Sequence, residues 1–237
     1  MAEKILWVVN YDDLDAFAER ATACHVTGVA IRTDNNLVKA IARFHDLGIK
    51  VFGWRWPSAK IDPAMKEAAK VVDLLAKGLD GYYVDPEGAK GKPWDWDQAG
   101  LDDLARKFCQ AIKTAAPDKP FGTTSHYRAK KVFPHLPWTT FFEFSDVLLP
   151  QAYWRSTDGV IGHGLPRDNY RVAQTFWVAA GGLKERIVPM AGELGVSTAA
   201  EINEHVAEAK AQAIDTLHFY AFDESVKAGV WNAIAAA

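Results

Sequence analysis

An α/β fold of the (β/α)₈ barrel class is predicted by three observations. Eight short β-type runs alternate with amphipathic helical patterns along the whole chain. Strands separated by helices pair in parallel through right-handed crossovers. Eight such units fill 237 residues with little chain left over. The competing open, doubly wound sheet usually opens its first helix with a glycine-rich phosphate turn, and here that turn reads Asn10-Tyr11-Asp12-Asp13. No linker, low-complexity tract or repeat interrupts the alternation, so residues 1–237 read as one barrel domain.

The strand-like runs are ILWVVN (5–10), VTGVAIRT (26–33), KVFGWRW (50–56), GYYVD (81–85), FGTTSHY (121–127), VLLPQAYW (147–154), RIVPMAGE (186–193) and TLHFYAF (216–222). Amphipathic stretches such as LDAFAERATA, LVKAIARFHDLG and PAMKEAAKVVDLLAKG lie between them, and only the fifth connection, around FPHLPWTTFFEF, is a weak helix. Gly48 and Gly78 stand where helices should stop before a strand. Asp62-Pro63 and Ser197-Thr198 look like helix starts, with Glu201 completing a capping-box pattern after Thr198.

Composition narrows the classes. A formal net charge of -3 gives no long-range attraction to nucleic acid or anionic membrane. No run approaches the ~20 apolar residues of a membrane span. The N-terminal MAEKILWVVNYDD lacks the apolar core and cleavage site of a signal peptide, so a cytoplasmic product is expected, with release by lysis or a non-standard route if its substrate lies outside. Cys24 and Cys109 have no metal or disulfide spacing and read as buried free thiols. No cofactor or metal is implied, and a monomer is expected. Nine Trp is high for this length, and aromatic faces are what sugars stack on, although more than half should be core.

Barrel enzymes place their chemistry at the C-terminal ends of the strands. Those ends here are Asn10, Arg32, Trp54-Arg55-Trp56, Asp85 with Glu87, His126-Tyr127, Gln151 with Tyr153 and Trp154, Glu193, and Asp223-Glu224. Strand alternation puts Gly81, Tyr83, Asp85 and Glu87 on one face, opposite the apolar Tyr82 and Val84 that must meet helices. The two carboxylates therefore enter the barrel mouth. Carboxylates that close do not ionise independently, and one keeps its proton to higher pH, as a general acid requires. Gln151 and Tyr153 enter from the sixth run by the same logic. Glu193 is read as a nucleophile or base, or as a helix-start residue, and structural pairing is the simpler expectation for Arg32 and Arg55.

Asp80-Gly81-Tyr82-Tyr83-Val84-Asp85-Pro86-Glu87 resembles the D-G-x-x-x-D-x-E signature of the family 18 glycoside hydrolases, the chitinases, and Tyr153 matches their inward tyrosine on strand six. The shorter D-x-E is also similar to the strand-four pair of the family 25 lysozymes. Two departures stand out: Tyr83 occupies the place of a further Asp in family 18, and Asn10 that of the strand-one Asp in family 25. The resemblance implies that Glu87 is the general acid/base, that Asp85 orients an attacking N-acetyl group, and that Tyr153 steadies it.

The expected activity is hydrolysis of a β-linked, N-acetylated glycan of peptidoglycan or chitin type, with Glu87, Asp85 and Tyr153 catalytic. Trp54, Trp56 and Trp154 are expected to line the groove as stacking platforms. Arg55, His126, Tyr127, Gln151, Glu193 and Asp223 complete the expected substrate-binding set. The alternatives are a glycan-binding barrel without catalysis and, more remotely, a metal-dependent hydrolase built on His126, His218 and Asp85, which has no supporting ligand spacing.

Overall fold

The computed structural model describes residues 2–155 and 164–237. Among these residues seven strands and eight α-helices follow one another: β1 (Glu3–Val8), α1 (Leu14–Ala23), β2 (Gly28–Arg32), α2 (Leu37–His45), β3 (Lys50–Arg55), α3 (Ile61–Ala76), β4 (Gly81–Val84), α4 (Asp102–Ala115), β5 (Phe121–His126), α5 (Trp138–Phe144), β6 (Val147–Gln151), α6 (Pro166–Ala179), α7 (Ala199–Ala211), β7 (Thr216–Phe219) and α8 (Ala228–Ala236). All strand pairs are parallel, in the order β6-β5-β4-β3-β2-β1-β7.

The predicted seventh run, 186–193, does not form a regular strand, yet it joins the two edges of the sheet. On one side the Val188 and Met190 N–H groups donate to Leu148 and Pro150 of β6, both at 2.8 Å. On the other, Ala191 N–H donates to His218 O of β7 at 2.9 Å, and Ala191 O accepts from Tyr220 N–H at 2.8 Å. Two prolines explain the irregularity. Pro150 on the β6 side and Pro189 on the β7 side have no N–H to give, so neither ladder of this segment can be continuous. Among the described residues the barrel therefore closes through seven regular strands in six ladders and one threaded segment.

Local signals place the turns. Gly48 (φ +72°) and Gly78 (φ +106°) end α2 and α3 in the left-handed conformation that glycine adopts at low cost. Thr198 and Glu201 make the reciprocal capping box at the start of α7. The Asp62-Pro63 start lies in the first turn of α3, which begins one residue earlier at Ile61, with Lys60 flanking it and making no side-chain cap. The weak fifth connection is a single 3₁₀ turn, Ala129–Lys131, followed by the seven-residue α5. Cys24 and Cys109 are buried and free.

Alternation sorts the strand side chains into two cores. Leu6, Val8, Val29, Ile31, Val51, Tyr82, Val84 and Phe121 pack against the helices. Ile5, Trp7, Ala30, Phe52, Trp54, Tyr83, Leu149 and Met190 fill the barrel interior. One residue of slip would exchange the two sets, so these patterns lock the register and, with it, the direction in which Asp85 points.

Candidate functional site

The lower interior of the barrel is a dry aromatic stack. Tyr83 lies between Trp7 (centroids 5.2 Å, 20° between planes) and Phe52 (5.1 Å, 19°). The Trp7 indole N–H donates to His218 Nδ1 at 3.0 Å. That nitrogen must be unprotonated to accept, and burial agrees, pushing the His218 pKa down to about 3.

Two residues above Tyr83 on the same face stands Asp85, buried, its N–H bonded to Arg55 O at 2.8 Å as the β3–β4 ladder runs out. Its carboxylate accepts from the Gln151 amide at 3.0 Å and from the Trp56 side chain. Glu87 follows, half-buried, with Trp96 N–H donating to its carbonyl at 2.8 Å. Burial raises the Asp85 carboxyl well above the carboxylate range, the neighbouring Glu87 charge raises it further, and the bonds from Trp56 and Gln151 offset part of this. Burial likewise raises Glu87, against a contribution from Gln151. The pair titrates as a unit and holds a proton to higher pH than isolated carboxylates do.

Tyr153 and Tyr220 complete the upper layer as a stacked pair, centroids 5.3 Å and 15° between planes. Gly192, on the threaded segment, makes room for them: a Cβ there would meet the Tyr153 ring at 2.7 Å. Burial keeps the Tyr153 hydroxyl protonated, and Tyr220 and the acids Glu193, Asp85 and Glu87 act in the same direction, so Tyr153 can serve as a neutral donor. Glu193 is half-buried beside a hollow of about 410 Å³ that also takes in Asn10, Tyr220 and Asp223, and burial raises its carboxyl too.

Asp85, Glu87, Gln151, Trp56 and Tyr153 are thus brought together, as the sequence predicts. Other expected contacts are not. Trp54 is fully buried, its N–H given to Val8 O at 2.9 Å, so it supports Trp56 edge-on (4.9 Å) instead of facing a groove. Trp154 is fully buried on the helix side, its ring 5.6 Å from His205. The reasons differ: Trp54 fills the barrel interior below the rim, whereas Trp154 lies on the face packed against the helices. Tyr127 is also buried, sharing a cluster with Ala152 and Ala173, whereas the half-buried His126 stacks on it at 4.8 Å and meets the Phe133 edge at 5.8 Å. Arg55 pairs with Asp34 at 2.9 Å, and Arg32 with the same acid at 2.6 Å, the structural pairing expected of them. Asp223 sits exposed at the rim, where its carboxylate receives Ser225 N–H at 2.8 Å. Among the described residues no group of three or more His, Cys, Asp or Glu is placed to hold a metal ion.

Sequence reading missed Tyr220. Its signal was present, because His218 faces the interior and alternation carries Tyr220 to the same side; the more polar Asp223 and Glu224 drew attention past it.

No family model matches the chain, and no curated protein matches it in sequence. Solved structures match it well in shape. A class V chitinase from Nicotiana tobaccum superposes with a TM-score of 0.70 at 8% identity over 99% of both chains. A β-galactosidase from the psychrophilic Marinomonas ef1 gives 0.70 at 8% identity, over 99% of this chain and 58% of that one. A putative deoxyribose-phosphate aldolase from Coccidioides immitis gives 0.61 at 12% identity, over 98% and 84%. Identities this low speak for architecture and for no activity. What the chain shares with all three is the (β/α)₈ barrel fold.

Proposed function

We propose that the protein is a glycoside hydrolase acting on a β-linked, N-acetylated glycan, with Glu87 as general acid/base and Asp85 as the stabilising carboxylate. The observation that carries this reading is the desolvated Asp85–Glu87 pair bonded by Gln151 and Trp56, with the stacked Tyr153 and Tyr220 nearby. Glu87 is the more open member of the pair, so it hands its proton to the departing glycosidic oxygen. Asp85, fixed by two donors, faces the positive charge that develops at the sugar ring or on an acetamido group attacking it. The Tyr153 hydroxyl donates to that group.

Aldolase structures share the barrel, but Schiff-base chemistry needs a lysine amine desolvated within the barrel interior. Among the described residues only Lys4 is a buried lysine, and its ammonium donates to Ile234 and Ala235 carbonyls at 3.0 and 3.1 Å, by α8. The stronger competitor is a glycan-binding barrel without turnover, which Tyr83 favours by standing where the resembled signature carries an acid.

Release of reducing ends from cell-wall glycan strands and chitin oligomers separates the two. Wild type should hydrolyse one of them, and Glu87→Gln should reduce turnover about 10³-fold, within the range for loss of a general acid. Equal turnover in both proteins overturns the assignment, and binding with no reducing ends in either selects the non-catalytic reading.

A further inference from the structure

Beside Glu87 the loop after β4 builds a second feature. Residues 88–98 fold against the loop after β3: Ala59 N–H donates to Pro93 O at 2.7 Å, and the buried Trp96 gives its indole N–H to Pro57 O at 2.9 Å. Between this loop and the one after β5 lies a hollow of about 780 Å³, starting at Gly88 and walled by Phe133. Gly88 is required there, since a Cβ would meet the Phe133 ring at 2.5 Å.

Three lysines line the hollow: Lys60, Lys90 and Lys92. These three form no ion pair among the described residues, although Asp95 and Asp97 line the same hollow. The acids within reach are turned to backbone. Asp95 accepts from Ala89 and Asp97 N–H groups at 3.0 and 3.3 Å, and Asp97 accepts from His135 N–H at 2.6 Å. Exposed Lys130 and Lys131 lie just before the Val132-Phe133 wall. A chain of net charge -3 thus concentrates five lysines on one side of its mouth, while the opposite hollow holds Glu193 and Asp223. Trp94, 40% exposed, offers an aromatic face on the same loop.

We infer that this hollow, whose lining begins at the residue after Glu87, is an anion-binding subsite for a glycan that carries carboxylates. The inference rests on the proposed glycan-directed site and names its substrate class: an acidic strand, oriented by lysines at one end of the cleft and repelled by acids at the other. An unpaired ammonium cluster over a preformed backbone gives up little on binding a carboxylate, and three exposed pairs together are worth about tenfold in affinity at low salt.

The test is calorimetric binding of two matched ligands: cell-wall glycan strands with free lactyl carboxylates, and the same strands after carbodiimide amidation. Using Glu87→Gln removes turnover from the measurement. The free-acid strand should bind about tenfold tighter at low salt, with the preference fading as salt rises. In the quadruple variant that adds Lys60→Gln, Lys90→Gln and Lys92→Gln, the preference should fall to within about twofold while the amidated strand binds as before. Equal affinity for both strands, no binding of either, or a preference untouched by the lysine substitutions overturns the inference. Because the readout is binding, a failed hydrolase assay leaves it standing or falling separately.

Discussion

The interior of this barrel has two layers built by the same alternation, and they behave oppositely. The lower layer, Trp7, Phe52 and Tyr83, satisfies itself by stacking and excludes water. The upper layer, Asp85, Glu87, Gln151, Tyr153 and Tyr220, gathers polar groups that no folding requirement would put there. Asp85 is buried one step above this floor, and desolvation by burial is the largest cause of its raised carboxyl pKa.

Asp85→Asn should separate the layers most sharply. Turnover should fall about 10³-fold, while the folded state gains stability as a function of pH. The sign follows from linkage. The Asp85 carboxyl titrates higher when folded than when unfolded, so its favourable contribution is complete below the unfolded value of about 3.9 and is lost as pH rises through the folded value. The amide variant has no such loss. Its stability advantage should therefore be smallest near pH of about 4 and widen toward neutrality, as read by urea denaturation. A constant difference across that range would show that Asp85 is not the desolvated member.

Tyr83→Ala acts on the floor. Removing a ring sandwiched between two others should cost about 3–5 kcal/mol, which in a chain of this size lowers the Tm by roughly 10 °C. Tyr83→Phe should be nearly neutral in stability and activity. If Tyr83→Phe instead loses most of its turnover, the floor hydroxyl takes part in the chemistry and the division between layers fails.

How legible these layers were depended on the kind of signal. The inward pair Asp85 and Glu87, with Gln151 and Tyr153, followed from period-two alternation, which is a local property of four to eight residues. The threaded segment 186–193 was legible as extended chain but not as an irregular one, because its pairing depends on Pro150 of a different strand. The misplaced tryptophans have a common origin. Trp54 and Trp154 are as aromatic as Trp56, and only the tertiary packing of each face decides which is covered. Residue type suggested a platform; the neighbours settled exposure.

The threaded segment gives the next test. Gly192→Ala places a Cβ 2.7 Å from the Tyr153 ring and 2.9 Å from Tyr220 O, and overpacking of that sort costs about 1–3 kcal/mol. Because the displaced ring belongs to the upper layer, kcat should fall by about tenfold while KM changes less. A loss of stability with unchanged kcat would mean that Tyr153 is only packing.

The smallest expected effect is the most specific. Trp56, unlike the fully buried Trp54 and Trp154, is only partly buried, and its side chain hydrogen-bonds Asp85, which holds the carboxyl below where burial alone would put it. Trp56→Phe keeps an aromatic ring beside Trp54 and Arg32 but deletes that donor. Loss of one hydrogen bond to a charged group is worth about 1.5–3 kcal/mol at most, and Gln151 still donates at 3.0 Å. Turnover at neutral pH should drop by only severalfold. The pH profile is the sharper readout: with the ionised form less stabilised, the limb that reports the pair should move to higher pH in Trp56→Phe and stay put in Trp54→Phe, whose N–H goes to Val8 O instead. If both variants shift the limb alike, the effect is one of packing in the aromatic interior, and the mouth is not electrostatically distinct from the floor beneath it.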